Sequence, residues 1–230
     1  MNENQAMLIA FLLSDGSVYF DKSKRTYCIQ FTNKVQGMLD KFIFLMRDCF
    51  SLENFKVNRC KRAKSIRFFS KKVALELFEH SPSFRTLVFP DGSFPNARIP
   101  QQIFGDEKLA IAFLKAFGSC DGGICVNRTE GQYRVEFACR HPTLKKQLSE
   151  LLSKTGFENT VTEERVIVRG KKNLISFLDK IGFLPESLVC KNSLHYGVPK
   201  MIAYGVGSEN SQPNHPPAAV LSRVSNTVEK

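Results

Sequence analysis

Leu8-Ile9-Ala10-Phe11-Leu12-Leu13-Ser14-Asp15-Gly16-Ser17 is answered further along the chain by Leu114-Lys115-Ala116-Phe117-Gly118-Ser119-Cys120-Asp121-Gly122-Gly123. Each stretch reads as an apolar helix that runs into an acid and stops at glycine, and Asp121 repeats Asp15 at an offset of 106 (121 − 15). Glycine past a helix end is ordinary, because it accepts the left-handed backbone that closes the last turn. The acid is not ordinary there. A carboxylate at a helix C-terminus faces the negative end of the macrodipole, at a cost of a few tenths to about 1 kcal/mol. Two such acids at equivalent places point to a positive partner, and a divalent metal is the simplest one.

The repeat continues outward from these helices. After Asp15 comes a hairpin pattern, Val18 to Phe20 and then Arg25 to Thr32, in which Tyr27, Ile29 and Phe31 alternate with Thr26, Cys28, Gln30 and Thr32. Adding the same offset lands on Gln132 to Ala138, where Tyr133, Val135 and Phe137 keep the apolar side and Gln132, Arg134 and Glu136 the polar one. A helix follows in each half, Val35 to Cys49 and Pro142 to Lys154, and Pro142 suits a first helical turn. Second hairpins follow, with outgoing strands over 66–72 and 166–172, and short helices over 73–80 and 173–181 close the halves. Each half therefore reads α-β-β-α-β-β-α. The fold class is α/β (α+β), with pseudo-symmetric halves over 1–96 and 97–204. The proline-rich stretch 81–99 is the connector. The polar, aperiodic segment 205–230 is expected to be largely disordered.

The 230 residues carry 33 Lys+Arg against 22 Asp+Glu, a formal net charge of +11. Such a surplus points to a polyanion, nucleic acid before an anionic membrane. Seven cysteines without a CxxC pair indicate neither a zinc site nor a disulfide framework. They suit a reducing intracellular compartment, an organelle matrix or a prokaryotic cytoplasm. The apolar run 7–13 is too short to cross a bilayer, and Glu3 stands where a signal peptide would be positive, so no membrane role is expected.

Two helices ending in Asp-Gly, each opening an αββαββα half over roughly 6–194, resemble the LAGLIDADG homing endonucleases in their monomeric, two-motif form. In that family the motif helices pack side by side, which requires small side chains. Ala6, Ala10 and Ser14 match Ala112, Ala116 and Cys120 at helical spacing. The resemblance implies that Asp15 and Asp121 meet at the centre of the molecule near the scissile phosphates. They would bind Mg²⁺, or Mn²⁺ in its place, with the backbone carbonyls of Ser14 and Cys120 as further ligands. It further implies a polar and a basic residue after the second strand of each half. Asn33-Lys34 fit in the first half; Cys139-Arg140 depart from the pattern, since a thiol does not replace an amide, and one strand is then cut faster. Arg98 and Lys191 match the family's late basic residues.

The same resemblance makes the sheets a saddle-shaped platform for double-stranded DNA. Its reading face would carry Thr26, Cys28, Gln30, Thr32, Asn58, Ser65, Arg67, Gln132, Arg134, Glu136, Arg165 and Arg169. Arginine and glutamine suit bidentate contact with guanine and adenine edges. Lys22, Lys24, Arg25, Arg59, Lys61, Arg62, Lys64 and Arg128, with the Lys71-Lys72 and Lys171-Lys172 pairs, would hold phosphates. Because the halves differ at their polar positions, the target is expected to be asymmetric. The implied activity is hydrolysis of one phosphodiester per strand, leaving short 3′ overhangs, by a protein borne on a mobile intron; no splicing block flanks the repeats, so an inteinic origin is not expected. The alternative on the same fold is a DNA-binding regulator, or a maturase whose partner is intron RNA. If about eight phosphates are neutralised, a plot of log affinity against log salt should have a slope near −7; fluorescence-anisotropy titrations at several salt concentrations measure it.

Overall fold

The structure, a computed structural model, describes residues 1–60, 62–127, 129–189 and 197–203. The first half runs α1 (Glu3–Leu13), β1 (Gly16–Asp21), β2 (Thr26–Asn33), α2 (Gln36–Phe50), β3 (Phe55–Cys60), β4 (Ala63–Phe68) and α3 (Lys71–His80). After the connector and a short α4 (Gln101–Gly105), the order repeats as α5 (Glu107–Asp121), β5 (Gly122–Asn127), β6 (Gln132–Ala138), α6 (Pro142–Lys154), β7 (Thr160–Val161), β8 (Arg165–Arg169) and α7 (Lys171–Lys180). A last short α8 spans Lys200–Ala203. Each half makes one antiparallel four-stranded sheet, ordered β1-β2-β4-β3 and β5-β6-β8-β7. The expected αββαββα repeat is present. Lys61, Arg128, Lys191 and the segment 205–230 lie outside the described residues.

Helix α1 is buried almost all round, from Ala6 through Leu8 to Leu13. Only a helix at the middle of a molecule can be apolar on every side in water. Its partner is α5, and the two share the largest contact between any pair of elements. Ala6, Ala10 and Ala116 are fully buried and Ala112 nearly so, as two helices in close approach require. Around this pair the halves pack phenylalanines: Phe11 meets Phe31 at 4.8 Å and Phe31 meets Phe42 at 5.0 Å, while Phe177 contacts Phe137, Phe157 and Phe183. The connector is fastened to the second half, where His141 Nε2 lies 2.7 Å from the Pro95 carbonyl and Gln147 exchanges two hydrogen bonds with the backbone of Ile99.

The helix ends differ from the sequence reading. Helix α1 stops at Leu13, so Asp15 lies one residue beyond its cap Ser14, whereas Asp121 is the last residue of α5. Neither Gly16 nor Gly122 adopts a positive φ; Gly122 is extended at φ −102°. Space explains the glycines instead. A Cβ on Gly122 would lie 2.4 Å from the Gly118 carbonyl oxygen, and one on Gly16 would lie 2.6 Å from Leu12 Cα. Each strand leaves its helix so tightly that no side chain fits at the junction. The strands also end sooner than the sequence suggests, at Phe68 and Arg169, and the two lysine pairs open α3 and α7 rather than extending hairpins. Ser70 explains the first boundary, since its hydroxyl accepts the Val73 amide as an N-cap.

Gly122→Ala should destabilise the fold by about 1–3 kcal/mol, the usual cost of overpacking. Gly123→Ala, where a Cβ meets nothing within 4 Å, should change it by no more than about 0.5 kcal/mol. Urea unfolding of the two variants measures the contrast.

Candidate active site and nucleic-acid interface

The small stripes of α1 and α5 converge at their C-terminal ends, where the Cys120 thiol meets the Ser14 side chain. Asp15 and Asp121 follow directly. Burial raises Asp15 above the ordinary carboxylate range, opposed by a 2.9 Å hydrogen bond from Asn33 Nδ2 and by the charges of Lys200 and Lys34. Asn33 is itself held, because its Oδ1 accepts the Val35 amide. Asp121 is pushed to about 7, first by burial and then by the negative charge of Asp15, with Lys200 pulling against them. Two carboxylates buried this close repel, so one of them holds its proton unless a cation intervenes. Cys120 is pushed well above the usual thiol range by burial and by Asp15, so its thiol stays neutral and its carbonyl is the donor it can offer.

Asp15, Asp121, Asn33, Lys34, Ser14 and Cys120 are therefore brought together. Arg140 is exposed at the rim of a hollow shared with Asp121, Cys139, Arg165 and the connector residue Leu87, and it pairs with Glu164 at 2.5 Å. Cys139 stands where Asn33 stands in the first half, but its thiol donates to the His141 carbonyl. Arg98 is exposed in the connector, and only its backbone amide is engaged, by Ser81. It is not among the charges acting on either acid.

The basic group that does reach the acids is Lys200, which the sequence reading missed. It is 4% exposed, with Nζ donating to the carbonyls of Gly122 at 2.7 Å, Ser119 at 3.0 Å and Gly118 at 3.2 Å. The ring of Phe183 lies 5.1 Å away. A cation here answers the dipole of α5.

On the sheets, Lys22, Lys24 and Arg25 form the β1–β2 turn and Arg59, Arg62 and Lys64 surround the β3–β4 turn, all exposed. Lys24, Thr26, Asn58 and Arg67 line one shallow depression together with Lys56 and Phe69. Lys56 shares a strand face with Asn58, so its parity alone would have identified it. Thr32 and Gln30 are half-buried; Gln132 and Arg169 are exposed. Two expected contact residues are instead covered. Cys28 is 2% exposed because Tyr19, its cross-strand partner, packs on it. Ser65 is fully buried between Thr32 and Asn58 on the neighbouring strands, with no hydrogen-bond partner for its hydroxyl.

The family model of the LAGLIDADG-like domain matches residues 108–182. The architecture is similar to the crystal structure of I-DmoI in complex with DNA and Mn, at a TM-score of 0.55 and 17% identity over 78% of this chain and 96% of that one. Residues 108–182 are thus similar to a LAGLIDADG-like domain, and the chain as a whole shares the fold of I-DmoI. The fold also resembles full-length DUF199/WhiA from Thermatoga maritima, at a TM-score of 0.50 and 16% identity over 78% of this chain and 55% of that one. In sequence the chain is 25% identical over 169 residues to a replication factor C small subunit of Pyrococcus horikoshii, and 25% over 189 residues to that of Methanocaldococcus jannaschii. The matches cover 74% and 80% of this chain but only 17% and 10% of those relatives, so the chain spans less than a fifth of their length.

Asp121 carries a pH dependence. Its folded-state pKa, about 7, exceeds the value of an unfolded aspartate, so the fold holds this proton more tightly than the unfolded chain does. Relative to Asp121→Asn, the metal-free protein should lose stability as pH rises from about 4 to about 7, and the difference should level off above that. Thermal melts of both proteins in EDTA across pH 4–8 test this; parallel curves would place Asp121 in an ordinary environment.

Proposed function

We propose that the chain is a site-specific double-strand DNA endonuclease that hydrolyses one phosphodiester per strand at a long, asymmetric target. The observation that carries this reading is the meeting of Asp15 and Asp121 at two packed helix ends, close enough for one charge to hold the other acid protonated near neutrality. The donor set fits a hard divalent cation. Two carboxylates and the Ser14 and Cys120 carbonyls are all oxygen, the preference of Mg²⁺; no cluster of three or more His, Cys, Asp or Glu side chains competes among the described residues. Neighbouring homing-endonuclease structures contain DNA with Mn, Ca or Mg, which supports a divalent ion in general. Bound there, the metal would polarise phosphate oxygens and acidify water. The chain's own part is to fix the carboxylates: Asn33 orients Asp15, and Lys200 ties down the last turn that carries Asp121. Lys34 and Arg140 supply positive charge beside the cut phosphates, and the sheet faces with their basic turns supply register on the duplex.

The halves are unequal. Asp15 has an amide partner and Asp121 has a thiol neighbour turned away to His141, so the two strands should be cut at different rates and nicked circles should precede linear product. The thiol of Cys139 at the place of Asn33 is also what favours the second reading, a DNA-binding regulator or an intron-RNA maturase that keeps the fold without the chemistry. Mg²⁺-independent binding with no cut in any candidate insertion site would establish that reading instead. A monomer borne on a mobile intron, acting in an organelle matrix or prokaryotic cytoplasm, is the setting this proposal carries.

In a plasmid library of candidate insertion sites with Mg²⁺, Asp15→Asn or Asp121→Asn should slow linearisation by at least about 10²-fold, the scale of losing one charge-stabilising group. DNA affinity should stay within about tenfold, because phosphate contacts supply most of it. Intact linearisation in either variant would remove that residue from the site.

A further inference from the structure

Gln30 and Glu136 are equivalent positions at the offset that relates Asp15 to Asp121, and each sits at the middle of its half's reading face. Free in that place, glutamine would read adenine and glutamate would accept from cytosine. Neither is free. Gln30 Oε1 accepts from Arg67 Nε at 2.7 Å, and its Nε2 donates to Thr32 Oγ1 at 3.3 Å. Glu136 Oε1 lies 2.7 Å from Arg134 Nε, and its Oε2 accepts from Arg165 Nη1. Both functional ends of each side chain are spent on the protein.

What remains outward is the arginines. An arginine held at Nε keeps its two Nη groups as a planar fork, the edge that matches guanine O6 and N7. Arg67 is held this way by a hydrogen bond across strands β2 and β4; Arg134 is held along strand β6 by its ion pair with Glu136, without hydrogen-bond geometry at Nε. The two halves reach one arrangement from different chemistry, a neutral amide in the first and a carboxylate in the second.

Building on the DNA-binding reading above, we propose that Gln30 and Glu136 read no base themselves but are positioning residues. They fix Arg67 in one half and Arg134 in the other as guanine readers, with Arg165 pinning the far oxygen of Glu136 through its Nη1. The target then carries a guanine opposite Arg67 in one half-site and opposite Arg134 in the other. Glu136 has a second effect: it subtracts a charge from the second half's face, which lowers its hold on non-cognate DNA.

The test is selection of bound duplexes from a randomised library by the full chain without metal, so that binding is read and cutting plays no part. The wild type should select guanine in both half-sites. Arg67→Ala should erase the guanine preference at one position, and Gln30→Ala should weaken it about tenfold at that same position and nowhere else. Gln30→Glu, which can still accept from Nε, should keep it, a rescue that a merely misfolded sheet would not give. Glu136→Gln should keep the guanine of the second half-site while raising affinity for unselected DNA severalfold. A preference altered by Gln30→Ala at a position where Arg67→Ala has no effect would overturn the proposal, because Gln30 would then be reading directly. Selection of sites lacking guanine at these positions would overturn it while leaving the nuclease reading intact. Failure of the wild type to bind any duplex would bring down both.

Discussion

Two helices packed through alanines fix everything else in this protein. Where Ala6, Ala10, Ala112 and Ala116 lie buried between α1 and α5, the backbones come close, and the helices' C-terminal ends must meet. Each of those ends is followed without slack by a strand, because Gly16 and Gly122 leave no room for a side chain at the turn. One packing contact thus sets the separation of two carboxylates and the direction in which two sheets leave the centre. A larger residue in the stripe would move the acids and the reading faces together.

The cost of that convergence is electrostatic, and the two halves meet it differently. Asp15 is relieved by the amide of Asn33 and by the charges of Lys200 and Lys34. Among the described residues Asp121 has no such amide, and its relief is Lys200, whose ammonium is committed to three carbonyls of the same helix end. The pseudo-twofold arrangement therefore carries a first site held by side-chain hydrogen bonding and a second held by a buried cation beneath the helix. The faces show the same division, with the Gln30–Arg67 pair in one half and the Glu136 ion pairs in the other. The halves share a backbone but not their polar chemistry.

Much of this was legible in the sequence because periodicity and repetition report on burial, which is a local property. The two Asp-Gly endings, the alternating strands and Pro142 at a helix start mapped onto α1, α5, β2, β6 and α6. Polar partnership is not local, and there the reading thinned. Cys28 has the parity of a contact residue, yet a tyrosine from the next strand covers it. Ser65 is buried by neighbours on two strands. Lys200 is far from both acids in sequence and arrives through a short helix with no periodicity to betray it. The glycines were expected for their conformational freedom, whereas the structure uses them for the absence of a side chain, a distinction that only the path of the neighbouring backbone reveals.

The most direct test of the central claim is a Mn²⁺ titration of the full chain at pH 8, without DNA, followed by electron paramagnetic resonance. If the helix ends form a cation site, the wild type should immobilise Mn²⁺ and the Asp15→Asn, Asp121→Asn double variant, folded by circular dichroism, should leave it free. Equal immobilisation by both proteins would contradict the account, since the ion would then be bound somewhere other than between the two acids.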